Sequence, residues 1–408
     1  MSVRNWQTFL SLRIVTCIAA LTVLSNCGSE EEVYRDLRIY HSPYEEVIWE
    51  SDLRLKAQHH DHVGTNATLL RRYDAAGYAA VSVMDYSGNP SLTYAWKQRI
   101  WPPEEWFSQE LLGSLSNIKV LIPNAEEIVD ETTHVTSPFL TTYVERFFPG
   151  RPKAPWQYAS VVELFGLIRG GGGLPCVAHP WEPGRSFREF SGTFCIEIYS
   201  AYAEARRRQG DARFAEDRNE IMIQNWDRAL DFNQSVFGIA VNDHFGPGNR
   251  AELVPEEVLD SGKIVVLAHD ATLEAYRDAM LRGAFFAIRD LGIQKDSFPT
   301  VYSISVEQTS VFVDTSGAVR WISGGRVIHE GPLLEYFKLP ANSRYVRAEI
   351  RQENAVVYTQ PFWVRPVGDA DGNYRVDAED TKICAEVEAG RESARDRVAA
   401  CEGLSEEG

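Results

Sequence analysis

The sequence predicts an α/β chain: a barrel-type domain, then a small β-sandwich, then a short calcium-loop module. Three observations predict it. Apolar runs of strand length alternate with helix-like stretches from Ser51 to Asp290. After Asp290 the pattern shortens to period-2 runs with turn signals, and residues 369–380 carry oxygen side chains at loop spacing. A chain of 408 residues is long enough for two or three such domains.

Ahead of the fold, Arg4 and Arg13 precede an apolar run from Ile14 to Leu24, followed by Ser25-Asn26-Cys27. That is the form of an export signal, too short to span a bilayer stably. Its end resembles a bacterial lipobox, in which Cys27 would be acylated. The expectation is a lipoprotein-type signal over 1–26 and an acidic tether over 27–50, around Glu30-Glu31-Glu32. The protein would then be held at a bacterial outer membrane, periplasmic face or cell surface through a lipid on Cys27. Plain secretion and a retained N-terminal helix are the alternatives.

The formal charge is −17 and becomes more negative once the two signal arginines leave. Such a surface repels nucleic acid, and the short basic cluster Arg206-Arg207-Arg208 reads as a solvated helix face. Of six cysteines, Cys17 leaves with the signal and Cys27 would be lipidated. Cys176 with Cys195 and Cys384 with Cys401 remain as two pairings that an oxidising compartment allows.

The barrel strands are expected at Leu53 to Gln58, Ala79 to Met84, Ile118 to Ile122, Leu174 to Ala178, Phe194 to Tyr199, Val236 to Val241, Ile264 to Leu267 and Ala284 to Ile288. Between the first two, Leu69, Leu70, Tyr73 and Ala76 share a helix face that stops at Gly77, a good C-terminal glycine. Residues 137–158, with four prolines among aromatics, predict an inserted loop or lid, and residues 89–107 a second one. Tyr302 to Val306, the turn at Ser323-Gly324-Gly325 and Tyr345 to Ile350 predict the β-sandwich over 298–366.

The chemistry starts at His59-His60-Asp61-His62. In an extended segment, side chains two apart share a face, so His60 and His62 can point at one ion while His59 and Asp61 face away or orient them. Unengaged surface histidines are the competing reading. Asp85, Glu126, His179 and Asp243-His244 each follow a predicted strand, at the C-terminal ends where barrel sites form. Singly, Asp85 reads as a helix cap, His179 before Pro180 as a turn, and Glu126 beside Glu127 as a solvated acid. Together with the histidines they predict a metal site. His269-Asp270 reads as a surface turn or as support for the site.

These residues resemble the PHP family, the polymerase and histidinol phosphatase metallohydrolases. The resemblance lies in Lys56-Ala-Gln-His-His-Asp-His62, Gly77 to Asp85, Ile122-Pro-Asn-Ala-Glu126, Leu174 to Pro180 and Val241-Asn-Asp-His244. Phe194-Cys-Ile-Glu-Ile-Tyr199, Asn225-Trp-Asp227 and Ala279 to Arg289 are similar to the branch that includes carbaryl esterases. The resemblance implies a distorted TIM-like (β/α)7 barrel over 51–297. It also implies that His60, His62 and Asp243 hold one metal, that His134 and His179 hold a second, and that Glu126 bridges them. Where the family draws histidines to a third metal, this chain has Tyr86 and either Thr68 or Asn66. The family's Asp-x-His becomes adjacent Asp243-His244, so either a residue is missing or Asn242 takes the aspartate position. His244 is then a ligand or a general acid. Asp85, His244 and Tyr86 are the candidate catalytic groups, with Tyr86, Arg185 and Trp181 shaping the pocket. The nitrogen and oxygen donors suit zinc or manganese, or iron, and no thiolate takes part, because Cys176 lies within its strand.

Asp369, Asp371, Asn373, Asp377 and Asp380 fall at positions 1, 3, 5, 9 and 12 of a loop suited to Ca²⁺. The loop resembles a dockerin-type calcium loop within a module over 367–408, although Tyr374 stands where such a loop takes glycine. Thr381 to Glu388 is expected as its exiting helix. The function expected is an exported hydrolase acting on a small-molecule ester or phosphoester through two metals, with an oligomer open. The alternative is a degenerate scaffold of the same kind that binds a ligand or surface partner without turnover.

Overall fold

The computed structural model describes residues 36–64, 66–84, 103–128, 134–141, 161–181, 191–232, 235–245, 260–291, 296–389 and 401. In chain order the first strands are β1 (Leu37–His41), β2 (Leu53–Gln58), β3 (Asp61–His62), β4 (Ala80–Val83), β5 (Val120–Pro123), β6 (Glu126–Ile128) and β7 (His134–Thr136). They are followed by β8 (Cys176–Ala178), β9 (Cys195–Ser200), β10 (Phe237–Val241), β11 (His244–Phe245), β12 (Gly262–Ala268) and β13 (Phe285–Asp290). Among these lie α1 (Ala67–Ala75), α2 (Gln109–Ser114), α3 (Val161–Gly170), α4 (Ala201–Arg208), α5 (Arg218–Asp231) and α6 (Leu273–Arg282). The C-terminal part adds β14 (Val301–Val306), β15 (Ser310–Thr315), β16 (Ala318–Ser323), β17 (Arg326–Glu330), β18 (Leu333–Glu335), β19 (Tyr345–Gln352), β20 (Ala355–Tyr358), β21 (Phe362–Pro366) and α7 (Ala378–Glu388).

Local chemistry explains the secure elements. Asn66 caps α1 by accepting from the N–H groups of Thr68 and Leu69, and the helix buries Leu69, Leu70 and Tyr73. Gly77 then takes φ +77°, a conformation open to glycine, and turns the chain into β4. The Asn66 side chain is therefore committed to starting the helix.

The strands of the α/β part divide between two sheets. One runs β13-β12-β2-β4-β5, the other β10-β9-β8-β7-β6. The expected closed barrel is not formed by backbone pairing among the described residues, and two sets of strands depart from the all-parallel pattern. First, β12 pairs antiparallel with β2, and β13 antiparallel with β12. An apolar run buried on both faces carries no mark of its direction, so sequence pattern reads such strands as parallel. Second, β6 and β7 form an antiparallel hairpin that the pattern did not predict.

Where the ladders stop, buried amide side chains take over, since each can donate and accept. Gln58 Nε2 donates to Gly262 O at 2.9 Å, and its Oε1 accepts from His59 N at 3.0 Å. Asn242 Oδ1 accepts from Gly262 N at 3.2 Å. Asn124 Nδ2 donates to His59 O at 2.8 Å, while its Oδ1 accepts from Ser137 N at 2.7 Å. A disulfide, Cys176–Cys195, joins β8 to β9 at directly paired positions.

The first large sheet does not end at residue 297. β13 pairs with β20, β20 with β19, β19 with β21, and β21 with β1. Only β14, β15 and β18 form a separate sheet, so the C-terminal β layer is in part an extension of the α/β sheet. The stretch expected as a tether also enters the fold, because Leu37 is buried in β1 and Tyr44 Oη donates to Phe285 O at 2.9 Å. Apolar content within a short acidic stretch is enough to make an edge strand when a partner edge is available. Of the expected lids, residues 89–102 and 142–158 lie outside the described residues, as does Cys27. No helix among the described residues is long and apolar enough to cross a membrane.

Candidate metal centre

The C-terminal ends of β2, β5, β8 and β10 converge, and each delivers a side chain to one buried cluster. From beyond β2 come His60 and His62, from β6 Glu126, from beyond β8 His179, from beyond β10 Asp243, and from the start of β7 His134. The ligand atoms of His60, His62 and Asp243 lie within 4.8 Å of one another, as do those of Glu126, His134 and His179.

Glu126 stands between the two groups and is fully buried. Its Oε2 lies 3.1 Å from His62 Nε2 and 3.5 Å from His60 Nε2. Its Oε1 lies 2.6 Å from His134 Nδ1 and 3.5 Å from His179 Nε2. Asp243 Oδ1 is 3.4 Å from His60 Nε2 and 4.0 Å from His62 Nε2. Asp243 and His179 both adopt left-handed backbone, at φ 55° and 31°, conformations that cost energy outside glycine and persist where surroundings enforce them.

The electrostatics fit cations. Burial pushes the Glu126 carboxyl up, but His60 and His134 outweigh it and hold it well below the ordinary range. Burial alone would lower the His60 ring, yet Glu197, Asp243 and Glu126 raise it well above normal. His179 is likewise raised, by Glu126 against burial, while burial raises Asp243. Buried carboxylates thus draw positive charge onto the rings. The buried atoms His60 Nε2 and Glu126 Oε2 make no hydrogen bond, which is the state expected of atoms whose partner is an ion. The donor set, imidazole nitrogen and carboxylate oxygen, fits Zn²⁺, Mn²⁺ or Fe²⁺.

Two neighbours of His60 part from it. His59 is buried, accepts or donates at Nε2 with Tyr276 Oη at 2.8 Å, and burial pushes its pKa down to about 3, so it is a neutral core group. Asp61 sits in β3, paired in register with His244 of β11. Between Asn242 and Asp243 the structure chooses. Asn242 turns to Gly262 and to Tyr73 Oη, and Asp243 enters the cluster. The side chain of His244 lies outside the described residues, as do Asp85, Tyr86 and Arg185. Trp181 stacks on His179, with centroids 4.5 Å apart. His269 and Asp270 are exposed at the end of β12 that pairs with Leu53, away from the cluster, because β12 is antiparallel.

Sequence reasoning gave Glu197 no role of its own. It is fully buried in β9, accepts from His60 Nδ1 at 2.5 Å through Oε1, and accepts from the His179 backbone N–H at 2.6 Å through Oε2. The signal available was a lone acid inside the apolar run Phe194 to Tyr199.

No family model and no curated protein matches the chain. Among solved structures it is similar to a two-domain protein from Bacteroides vulgatus containing a predicted PHP-like metal-dependent phosphoesterase. The two share 13% sequence identity at a TM-score of 0.39, over 78% of this chain and 88% of that one. A likeness of that degree says nothing of chemistry.

Proposed function

We propose that the protein is an exported metal-dependent hydrolase that cleaves a small-molecule ester or phosphoester with water. The observation that carries this reading is the position of Glu126, buried, with one oxygen facing His60 and His62 and the other facing His134 and His179. His60, His62 and Asp243 would hold one divalent cation, His134 and His179 a second, and Glu126 both. Cations bound there would supply Lewis-acid activation of a water and stabilise charge developing on the carbonyl or phosphoryl oxygen.

The chain's own groups do the rest. Glu197 accepts the His60 Nδ1 proton and so presents Nε2 to the site. Trp181 packs over His179 and keeps bulk water from it. Asp85, Tyr86 and His244 are assigned to substrate contact and proton delivery. Residues 51–297 would form the catalytic part, 298–366 the β layer and 367–408 the calcium module.

Export rests on the signal-like N-terminus ending at Cys27, and the disulfides Cys176–Cys195 and Cys384–Cys401 fit an oxidising compartment. Nucleic acid is not a partner on this reading. Arg207 and Arg208 share Glu204, and Arg206 pairs with Asp211, so the basic cluster is partly offset by its own neighbours.

Calcium is proposed for the loop at 369–380. The ligand atoms of Asp369, Asp371 and Asp380 lie within 4.8 Å of one another. Asp369 Oδ1 is buried without a hydrogen bond. On this reading Asn373 and Asp377 would add further oxygens. Tyr374 takes φ 66°, the left-handed turn for which such loops use glycine.

Metal analysis of the purified chain tests the catalytic reading. About two equivalents of zinc, manganese or iron, lost together in His60→Ala/His179→Ala, support it. A folded wild-type chain that retains no transition metal and turns over neither aryl esters nor aryl phosphates would sink it.

A further inference from the structure

His179 is the least comfortable member of the cluster, since a non-glycine residue there holds a left-handed backbone at φ 31°. Something must hold it. Glu197 fixes its N–H from one side. From the other, α5 grips the two residues that follow: Asn225 Nδ2 donates to Pro180 O at 2.7 Å, and Arg218 Nη1 donates to Trp181 O at 2.9 Å.

Helix α5 is in turn held from its opposite face. Residues two apart on a helix point about 200° apart, so Asp227 faces away from Asn225. Asp227 is gripped by the β layer, with Arg347 Nε donating to Oδ1 and Arg347 Nη2 to Oδ2, both at 2.8 Å. Tyr345 Oη adds a third bond to Oδ1 at 2.9 Å. Both charges are buried, Arg347 at 1% and Asp227 at 5% exposure. A bidentate guanidinium–carboxylate pair fixes orientation as well as distance. Between the two grips, Trp226 packs so closely on Gly238 that a Cβ there would lie 2.9 Å from the indole, which leaves the helix no room to slide.

We infer that Arg347 and Asn225 are positioning residues for the metal centre, through which the C-terminal β layer sets the place of His179 and hence the affinity for the cation held by His134, His179 and Glu126. The inference rests on the metal reading above. It implies that the β layer serves the site directly, and that the cation held by His60, His62 and Asp243 is indifferent to it.

Cobalt(II) titration of the intact protein, followed by visible absorption, tests it with Asn225→Ala and Arg347→Met. The weaker or later-filling equivalent should lose about 10- to 100-fold in affinity while the other equivalent keeps its own. Hydrogen exchange of peptides covering 176–181 should quicken in both variants while peptides covering 120–126 stay as in wild type. Asn225→Ala removes only the last link and decides the matter if Arg347→Met fails to fold. Equal weakening of both equivalents, or unchanged exchange at 176–181 in a folded variant, overturns the inference. A wild-type chain that takes no cobalt overturns the metal reading instead, and exchange at 176–181 still decides whether the grip holds His179.

Discussion

Glu197 and His60 form a buried pair at 2.5 Å, and the same carboxylate takes the His179 N–H at 2.6 Å with its other oxygen. One side chain therefore orients a residue from each of the two ligand groups. Glutamine at this position keeps one acceptor but turns an amide N–H toward a donor. Glu197→Gln is expected to weaken metal binding about 10- to 100-fold while leaving the fold intact. Competition with a chromophoric zinc chelator measures it, and an unchanged affinity would show that the carboxylate is not needed.

Asp227 and Arg347 are expected to dominate stability at the junction with the β layer. Asp227→Ala leaves the buried guanidinium of Arg347 with Glu349 as its remaining carboxylate, and the expected loss is about 3 kcal/mol. Asp227→Leu/Arg347→Met removes both charges and should recover part of that loss, because Glu349 keeps Arg351 but loses Arg347, and Tyr345 Oη loses an acceptor. Urea unfolding monitored by tryptophan fluorescence distinguishes the two outcomes.

Acid sensitivity has a defined contributor on the same strand. Burial pushes Glu349 up, but Arg347 and Arg351 outweigh it and hold its carboxyl below the ordinary value of 4.5. A carboxyl depressed in the folded state adds stability above its unfolded value, and that stability is lost as pH falls through the depressed one. Thermal unfolding between pH 7 and pH 3 should therefore show a drop beginning near the ordinary carboxylate range. Glu349→Gln should be less stable at neutral pH and flatter below it. A parallel pair of curves would remove Glu349 from the account.

Calcium binding has an intrinsic reporter, because Tyr374 N donates to Asp369 Oδ2 at 3.1 Å and places the phenol beside the loop. Terbium added to His60→Ala protein should give tyrosine-sensitised emission that saturates and is competed away by Ca²⁺. Asp369→Asn should abolish it. At a calcium concentration about 100 times Kd the wild-type protein should gain about 2.7 kcal/mol.

The histidines were legible because alternation places His60 and His62 on one face, and Glu126, His179 and Asp243 because each follows an apolar run by one to four residues. Strand positions were legible for the same reason, and Leu53–Gln58 was placed to the residue. Direction was not. Ile264 to Leu267 is apolar throughout, and only pairing with Leu55 and Ala57 reveals that it runs against its neighbours. Glu197 was hidden because a single acid in a buried strand has no periodicity to betray it. The adjacency of Asn242 and Asp243 needed three dimensions, since either could have been the ligand until Asn242 was seen bonded to Gly262.

The pairing of Leu37 with Pro366 bears on how the chain assembles. Among the described strands β1 is made first and finds its partner last, so the edge of the large sheet stays open until almost the whole polypeptide is available. Closing so long a loop costs entropy before any contact repays it, which predicts slow, late completion of the sheet. A chain truncated after Asp290 would expose the edge of β13 and leave β1 with nothing to join. Shortened forms should then aggregate through that edge rather than fold as smaller proteins.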